Sequence, residues 1–459
     1  MYIRASCFIC LAFLWTTGLA LRMVQPTPPC PCVGITGRKA HCNPVDDWSD
    51  GKKETLVITN RDSDYKMWMW DSLTAVIEWN DDLNSTLTDE LMCYAHSKGK
   101  KYGFYVKQFP TPDHATDVSA EISYKRADLV AVNLIDYLHN CDYAAAHAQE
   151  IANYTTTVLS EIKKHITAKV LCVMPWKPPC YELNCDVGPA LAKQCDGVIF
   201  SPESYNTYCS ETCTAKATVP FSKITIGITE YLAAGFNSSQ LLLGIPWHGY
   251  NYTCRNDDKV DKWSGHYVCH LGKKLDSATN KTVCDIEGSR EKKLIGSVVG
   301  KVPQMALLDA TFSKPDQTPY KVQNGSGNDT RKYMLWFEDI GSLLAKYDAV
   351  QKYDIKGCVI YTGDDLAYDH VKVNEEFDNH MWSWMLHSIL SSGQTYEKES
   401  KGNIAGTVAG VGVGMFLLGC LLGTLISCII FRRKKALHAP FKHDTLADEY
   451  TDDLDHNQL

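Results

Sequence analysis

Residues 128–136 read Asp-Leu-Val-Ala-Val-Asn-Leu-Ile-Asp, an apolar stretch interrupted by three side chains that could do chemistry. Val130, Val132 and Leu134 give it the β-branched character of a strand buried on both faces. Asp128, Asn133 and Asp136 then fall where a parallel barrel sets groups for proton transfer or for holding a polar ligand. Such a strand needs helices and further parallel strands around it.

The rest of the chain supplies them. Apolar or β-branched runs at 55–59, 73–77, 102–106, 129–135, 170–174, 197–200, 241–245 and 357–361 read as strands. Helix-period segments at 88–97, 142–166, 224–234, 340–352 and 374–390 lie between or after them. Strands alternating with helices imply the α/β class, and eight units fit a (β/α)8 TIM barrel. An open doubly wound sheet fits less well, because no Gly-rich phosphate loop follows the first strand. The stretch from 245 to 357 is longer than one crossover requires. It carries Cys254, Cys269 and Cys284, and it reads as a glycosylated insertion pinned by disulfides.

The two ends place this barrel outside a membrane. Residues 1–20 have the basic start, apolar run and small residues of a signal peptide. Residues 404–431 are 28 consecutive uncharged positions, more than the about 20 that a transmembrane helix needs. Arg432, Arg433, Lys434 and Lys435 follow, which puts the C-terminus in the cytosol. The expected layout is a barrel ectodomain over 21–390, a stalk over 391–403, the membrane helix and a cytoplasmic tail over 432–459. This is a single-pass type I topology, with the ectodomain extracellular or lumenal, at the cell surface or in the endolysosomal system. Gly406, Gly410 and Gly414 lie four apart, a spacing that would let two membrane helices meet in a homodimer.

Composition agrees. The net charge is −8 with 45% hydrophobic residues, and Lys and Arg are outnumbered, so nucleic acid is not an expected partner. Of 19 cysteines, 15 fall in the ectodomain, a density that means disulfides and, being odd, one thiol left over. No zinc-type spacing recurs, so neither metal nor cofactor is expected. Seven N-x-S/T sequons, at Asn84, Asn153, Asn237, Asn251, Asn280, Asn324 and Asn328, all lie on the ectodomain side and none in the tail.

Several runs go further than pattern. ELMCYAHSKG (90–99), CVMPWKPPCYELNCD (172–186), PWHGYNYTC (246–254), LWFEDIGSL (335–343) and KGCVIY (356–361) resemble the chitobiase branch of glycoside hydrolase family 18. The resemblance runs from about residue 30 to 390, leaving the membrane helix and tail outside it. It implies a TIM barrel whose fourth strand carries D-x-x-[DN]-x-D-x-E. In the family the Glu protonates the leaving oxygen, and the Asp before it holds the substrate acetamido group that acts as nucleophile, a departure from the two-carboxylate scheme. Laid on this chain, Asp128 fills the first position, Ala131 the second, Asn133 the acetamido-holding position and Ile135 the acid position. Residues two apart share a strand face, so Ala131, Asn133 and Ile135 should all face the barrel interior. Glu203 and Ser204 stand where the family has a Tyr-Asp pair, and Tyr361 where it has a Trp.

An Ile cannot donate a proton, and a general acid supplies about 10²–10⁴-fold in rate. The resemblance therefore implies a pseudoenzyme that keeps the barrel for glycan or protein binding. Trp176, Trp247, Tyr250 and Tyr361 are the aromatics expected to stack on N-acetylglucosamine rings. The alternative is an active glycosidase using a relocated carboxylate, with Asp136 and Glu203 as candidates.

Overall fold

The computed structural model describes residues 32, 42–45, 48–49, 51–60, 63–79, 87–135, 147–178, 187–201, 203, 212–255, 267–276, 280–294, 310–366 and 378–383. Asn84, Asp136, the signal segment and everything from 384 onward, with the stalk, membrane span, glycine stripe and tail, lie outside the described residues. Among the described residues no helix is long and apolar enough to cross a membrane.

Strands β1 (Glu54–Thr59), β2 (Ala75–Glu78), β3 (Lys101–Val106), β4 (Leu129–Asn133), β5 (Lys169–Pro175), β6 (Gly197–Ser201) and β7 (Leu241–Pro246) come first. Between them lie α1 (Leu87–Ser97), α2 (Ala115–Tyr124), α3 (Ala148–Lys164) and α4 (Val187–Gln194), and α5 (Phe221–Ala233) precedes β7. After an inserted region come α6 (Ile340–Lys352) and β15 (Gly357–Tyr361), which pairs in parallel with both β1 and β7 and closes an eight-stranded barrel. All eight strands coincide with the runs expected from sequence. Helices α2 and α4 do not, and α3 is shorter than the 142–166 segment expected.

Alternation along the strands splits the apolar residues into two layers. Leu56, Ile58, Leu129, Ala131, Leu171, Val173 and Val359 fill the barrel interior. Val57, Val130, Val132, Val170, Cys172 and Ile360 face the helices. Burial on both sides is why these strands read as near-continuous apolar runs.

The insertion is a sheet. Strand β8 (His248–Thr253) leaves β7 after one residue. It is followed by the hairpin β9 (Lys273–Asp276) and β10 (Lys281–Cys284), then β11 (Arg290–Leu294), β12 (Thr311–Ser313), β13 (Thr318–Asn324) and β14 (Lys332–Trp336). Five of them form an antiparallel sheet in the order β11-β8-β14-β13-β12 around its own apolar cluster, which includes Tyr252, Tyr320 and Trp336. The disulfides Cys254–Cys269 and Cys213–Cys284 pin this region, while Cys32–Cys93 and Cys172–Cys195 lie in the barrel. A fully buried ion pair, Lys346 on α6 with Glu338, also holds Thr318 at the start of β13 (Nζ to Oγ1 3.0 Å), which fastens sheet to barrel.

Candidate functional site

The barrel mouth is built at the C-terminal ends of the parallel strands. On β4 the interior residues are Leu129 and Ala131, and Ile135, just past the strand, still packs on the interior cluster. Asn133 shares that alternation. Its Nδ2 donates to the Lys107 carbonyl (3.1 Å), and its Oδ1 accepts from the Ile135 backbone N–H (3.0 Å). Ile135 thus turns a hydrocarbon to the barrel interior, and the Asn133 amide bonds backbone through both its oxygen and its nitrogen.

Asp128 is at the other end of the same strand, and its expected place among the chemical groups of the mouth is corrected here. Its Oδ1 accepts from Val45 N (2.7 Å). Its Oδ2 accepts from Tyr102 N (2.7 Å) and lies 2.9 Å from His96 Nε2. A buried carboxylate that pairs with three groups from three segments is a fastening of the barrel base.

Glu203, just beyond β6, does belong to the mouth. Its Oε1 accepts from the Tyr250 hydroxyl (2.5 Å) and lies 3.1 Å from His248 Nε2, while His248 Nδ1 lies 3.0 Å from Asp365 Oδ2. Lys292 reaches Asp365 Oδ1 at 3.0 Å, and the Arg290 guanidinium stacks 4.0 Å from the Tyr250 ring centre. Burial alone would push the Glu203 carboxyl up, but the His248 charge, the hydrogen bonds from His248 and Tyr250, and Arg290 hold it down at about 2. Burial likewise works against a charged His248, yet Glu203 and Asp365 raise it above its ordinary value. The result is an ionised carboxylate beside an imidazole whose charged form is favoured. Such a carboxylate has no proton to give to a leaving group.

The four aromatics separate into two pairs. Tyr250 joins the Glu203 network. Tyr361 faces the interior at the end of β15, and its buried hydroxyl has no hydrogen-bond partner among the described residues. Burial first, then Tyr105 and Glu203, push that phenol well up, so it stays a hydrogen-bond donor. Trp176 and Trp247 face the helix layer instead. Trp247 is 0% exposed, donates Nε1 to the Tyr347 hydroxyl (2.9 Å) and meets Trp382 edge-on at 4.7 Å. Trp176 is 5% exposed, beneath Lys177 and Lys223. Neither offers a ring to a ligand in the mouth, because each follows an inward-facing residue by one position. The aromatic that sequence reasoning missed is Trp79. It extends the inward series Ala75, Ile77 past the end of β2, and its half-buried ring stacks on Tyr105 at 4.7 Å, 6° from parallel. That period-two series was the available signal.

Among the described residues no group of His, Cys, Asp and Glu is placed to hold a metal ion. The sequons at Asn153, Asn237, Asn280, Asn324 and Asn328 are exposed, whereas Asn251 is half-buried in β8.

No family model matches the chain. It is similar to di-N-acetylchitobiase of Mus musculus, 23% identical over 360 residues that cover 77% of this chain and 92% of that protein. The Homo sapiens di-N-acetylchitobiase is 23% identical over 382 residues, covering 81% and 91%. Among solved structures, a Rhizomucor miehei chitinase matches with a TM-score of 0.52 at 14% identity, over 72% of this chain and 100% of that one. The Ostrinia furnacalis Group IV chitinase in complex with allosamidin matches with a TM-score of 0.52 at 11% identity, over 73% and 100%. At such identities the solved structures share the fold.

Proposed function

From a chain that is chitobiase-like in sequence and carries the barrel of the glycoside hydrolase family 18 chitinases, we propose a type I membrane glycoprotein that binds glycans without hydrolysing them. Its expected parts are a signal peptide (1–20), the barrel ectodomain (21–390), a stalk (391–403), a membrane helix (404–431) and a cytoplasmic tail (432–459). One observation supports the loss of chemistry: Ile135, which the resemblance aligns with the family's proton donor, packs a hydrocarbon on the barrel interior just past β4, and the groups around Glu203 favour its ionised form. Without the donor, and with Asn133 in place of the carboxylate that orients the acetamido group, acid catalysis and positioning both fail.

Binding makes smaller demands. Trp79, half-buried at the mouth and backed by Tyr105, offers a ring that suits the apolar face of a sugar. The ligand class is a glycan or glycoprotein containing N-acetylglucosamine.

The test is an assay of the full chain, expressed in a secretory host and solubilised, on chitobiose and a fluorogenic chitobioside, with binding to chitooligosaccharides followed in parallel. Binding without turnover is the expected result. Turnover that disappears in Asp136→Ala would establish the relocated-carboxylate reading in its place. Absence of both turnover and glycan binding would direct attention to a protein partner.

A further inference from the structure

A second opening lies at the opposite end of the barrel from the mouth. It is a groove of about 560 Å³ lined by Trp48, Lys169, Lys193, Asp196, Asn237 and Ser239, among others. Lys169 starts β5, Asp196 immediately precedes β6, and Asn237 and Ser239 belong to the short turn that leads into β7, so the groove sits at the strands' N-terminal ends. Its volume is within the roughly 300–1,000 Å³ typical of small-molecule sites. A neighbouring cavity of about 270 Å³ shares Trp48 and Lys169 with it.

One lining residue is a glycosylation acceptor. Asn237 is followed by Ser238 and Ser239, completing a sequon, and its side chain is exposed. Its Oδ1 accepts from the Ser239 backbone N–H (3.1 Å), and its own backbone N–H donates to Gln240 Oε1 (3.1 Å). This turn engages the amide oxygen and leaves the nitrogen, Nδ2, to carry a sugar. The groove beside it has what an N-acetylglucosamine needs. Trp48 supplies an aromatic surface, fixed in place by the Lys356 and Lys101 ammonium groups 4.9 and 5.8 Å from its ring centre. Lys169 and Lys193 supply cationic donors for hydroxyl and acetamido oxygens. Asn280 differs: it is exposed in the β9–β10 turn, with φ of 54°.

We propose that the first N-acetylglucosamine of a glycan on Asn237 folds back into this groove against Trp48, so that the protein's own sugar closes the base of the barrel. The inference rests on the glycoprotein reading above. Attachment forms a bond from Asn237 Nδ2 to the anomeric carbon of a lipid-linked diphosphate oligosaccharide. It breaks that carbon's bond to the diphosphate oxygen, and the Nδ2 proton leaves with the released diphosphate.

The test uses the full chain from a secretory host, treated undenatured with a peptide N-glycosidase, with site-by-site release followed by peptide mass spectrometry. The Asn237 glycan should come off severalfold, up to about tenfold, more slowly than that on Asn280, the range that one aromatic contact supplies. After denaturation the two rates should be equal. In Trp48→Ala the native Asn237 rate should rise to that of Asn280; if that variant does not fold, the wild-type comparison decides alone. Equal native rates, an unchanged rate in folded Trp48→Ala, or a bare Asn237 beside an occupied Asn280 would each overturn the docking. A chain with no sugar at any sequon would overturn the glycoprotein reading as well.

Discussion

Glu203 and His248 meet at 3.1 Å although one follows a barrel strand and the other begins the inserted sheet. Each fixes the other's charge. The contact makes the mouth an ion-paired seam between two layers of structure.

Stability should therefore depend on pH on both sides of the pair. His248 is raised above its ordinary 6.5, so its contribution is complete below that value and is lost as pH climbs through the folded value. Glu203 is lowered from 4.5 to about 2, so its contribution is complete above 4.5 and is lost as pH falls toward 2. The two overlap between pH 4.5 and 6.5. Thermal melts should show the seam's largest effect there, and His248→Asn should flatten the decline on the alkaline side.

Turnover should be recoverable at β4. Asn133→Asp with Ile135→Glu restores the two missing groups on the inward face, and chitobioside hydrolysis should rise by about 10²-fold over the parent, the low end of a general acid's contribution. Ile135→Glu alone should give less, because nothing then orients the acetamido group. A double variant that folds, binds chitobiose and stays inert would show that the loss extends beyond these two positions.

Ligand contact and core packing should separate between two tryptophans. Trp79→Ala should weaken chitooligosaccharide binding by about tenfold, the worth of one aromatic contact, with little change in melting temperature. Trp247→Ala removes a wholly buried ring and should cost about 3–5 kcal/mol of stability. Titration calorimetry and urea denaturation on both variants check the pattern.

The Glu338–Lys346 pair should be costly to break and cheap to replace. Both side chains are 0% exposed, and burial pushes the carboxyl up and the ammonium down. Lys346→Met should lose about 3–5 kcal/mol, because it strands a buried carboxylate. Adding Glu338→Leu should restore most of that in the same urea experiment.

Much of the barrel is legible in the sequence because strands buried on two faces need unbroken apolar runs, and those are visible without any neighbour. Helix α4 is not, since Gly188 and Pro189 look like breakers. The Pro is tolerated in the first turn, and the Gly is required because a Cβ there would come within 2.1 Å of the Ala234 carbonyl. Helix α2 follows a Pro-rich turn and buries only Ala115, Ser119 and Ile122, too weak a stripe to show as a period. At the site, Glu203 and Tyr250 are readable from position. The rest of their network, Arg290 on the Tyr250 ring and Asp365 and Lys292 behind His248, comes from distant segments and is assembled through closure of the barrel and pairing of β11 with β8. Trp176 and Trp247 show the limit of arguing from strand ends: one residue of register decides between a ligand's ring and the core.

Cys358 is the second residue of β15, the closing strand, with 0% exposure, and burial pushes its thiol well up. It is the free thiol among the described residues. It faces the helix layer, beside Tyr347 of α6, so a soluble maleimide should leave it untouched until that layer lifts from β15. The rate of its labelling is then a clock for the parting of helices from barrel, run by an atom that the protein already carries.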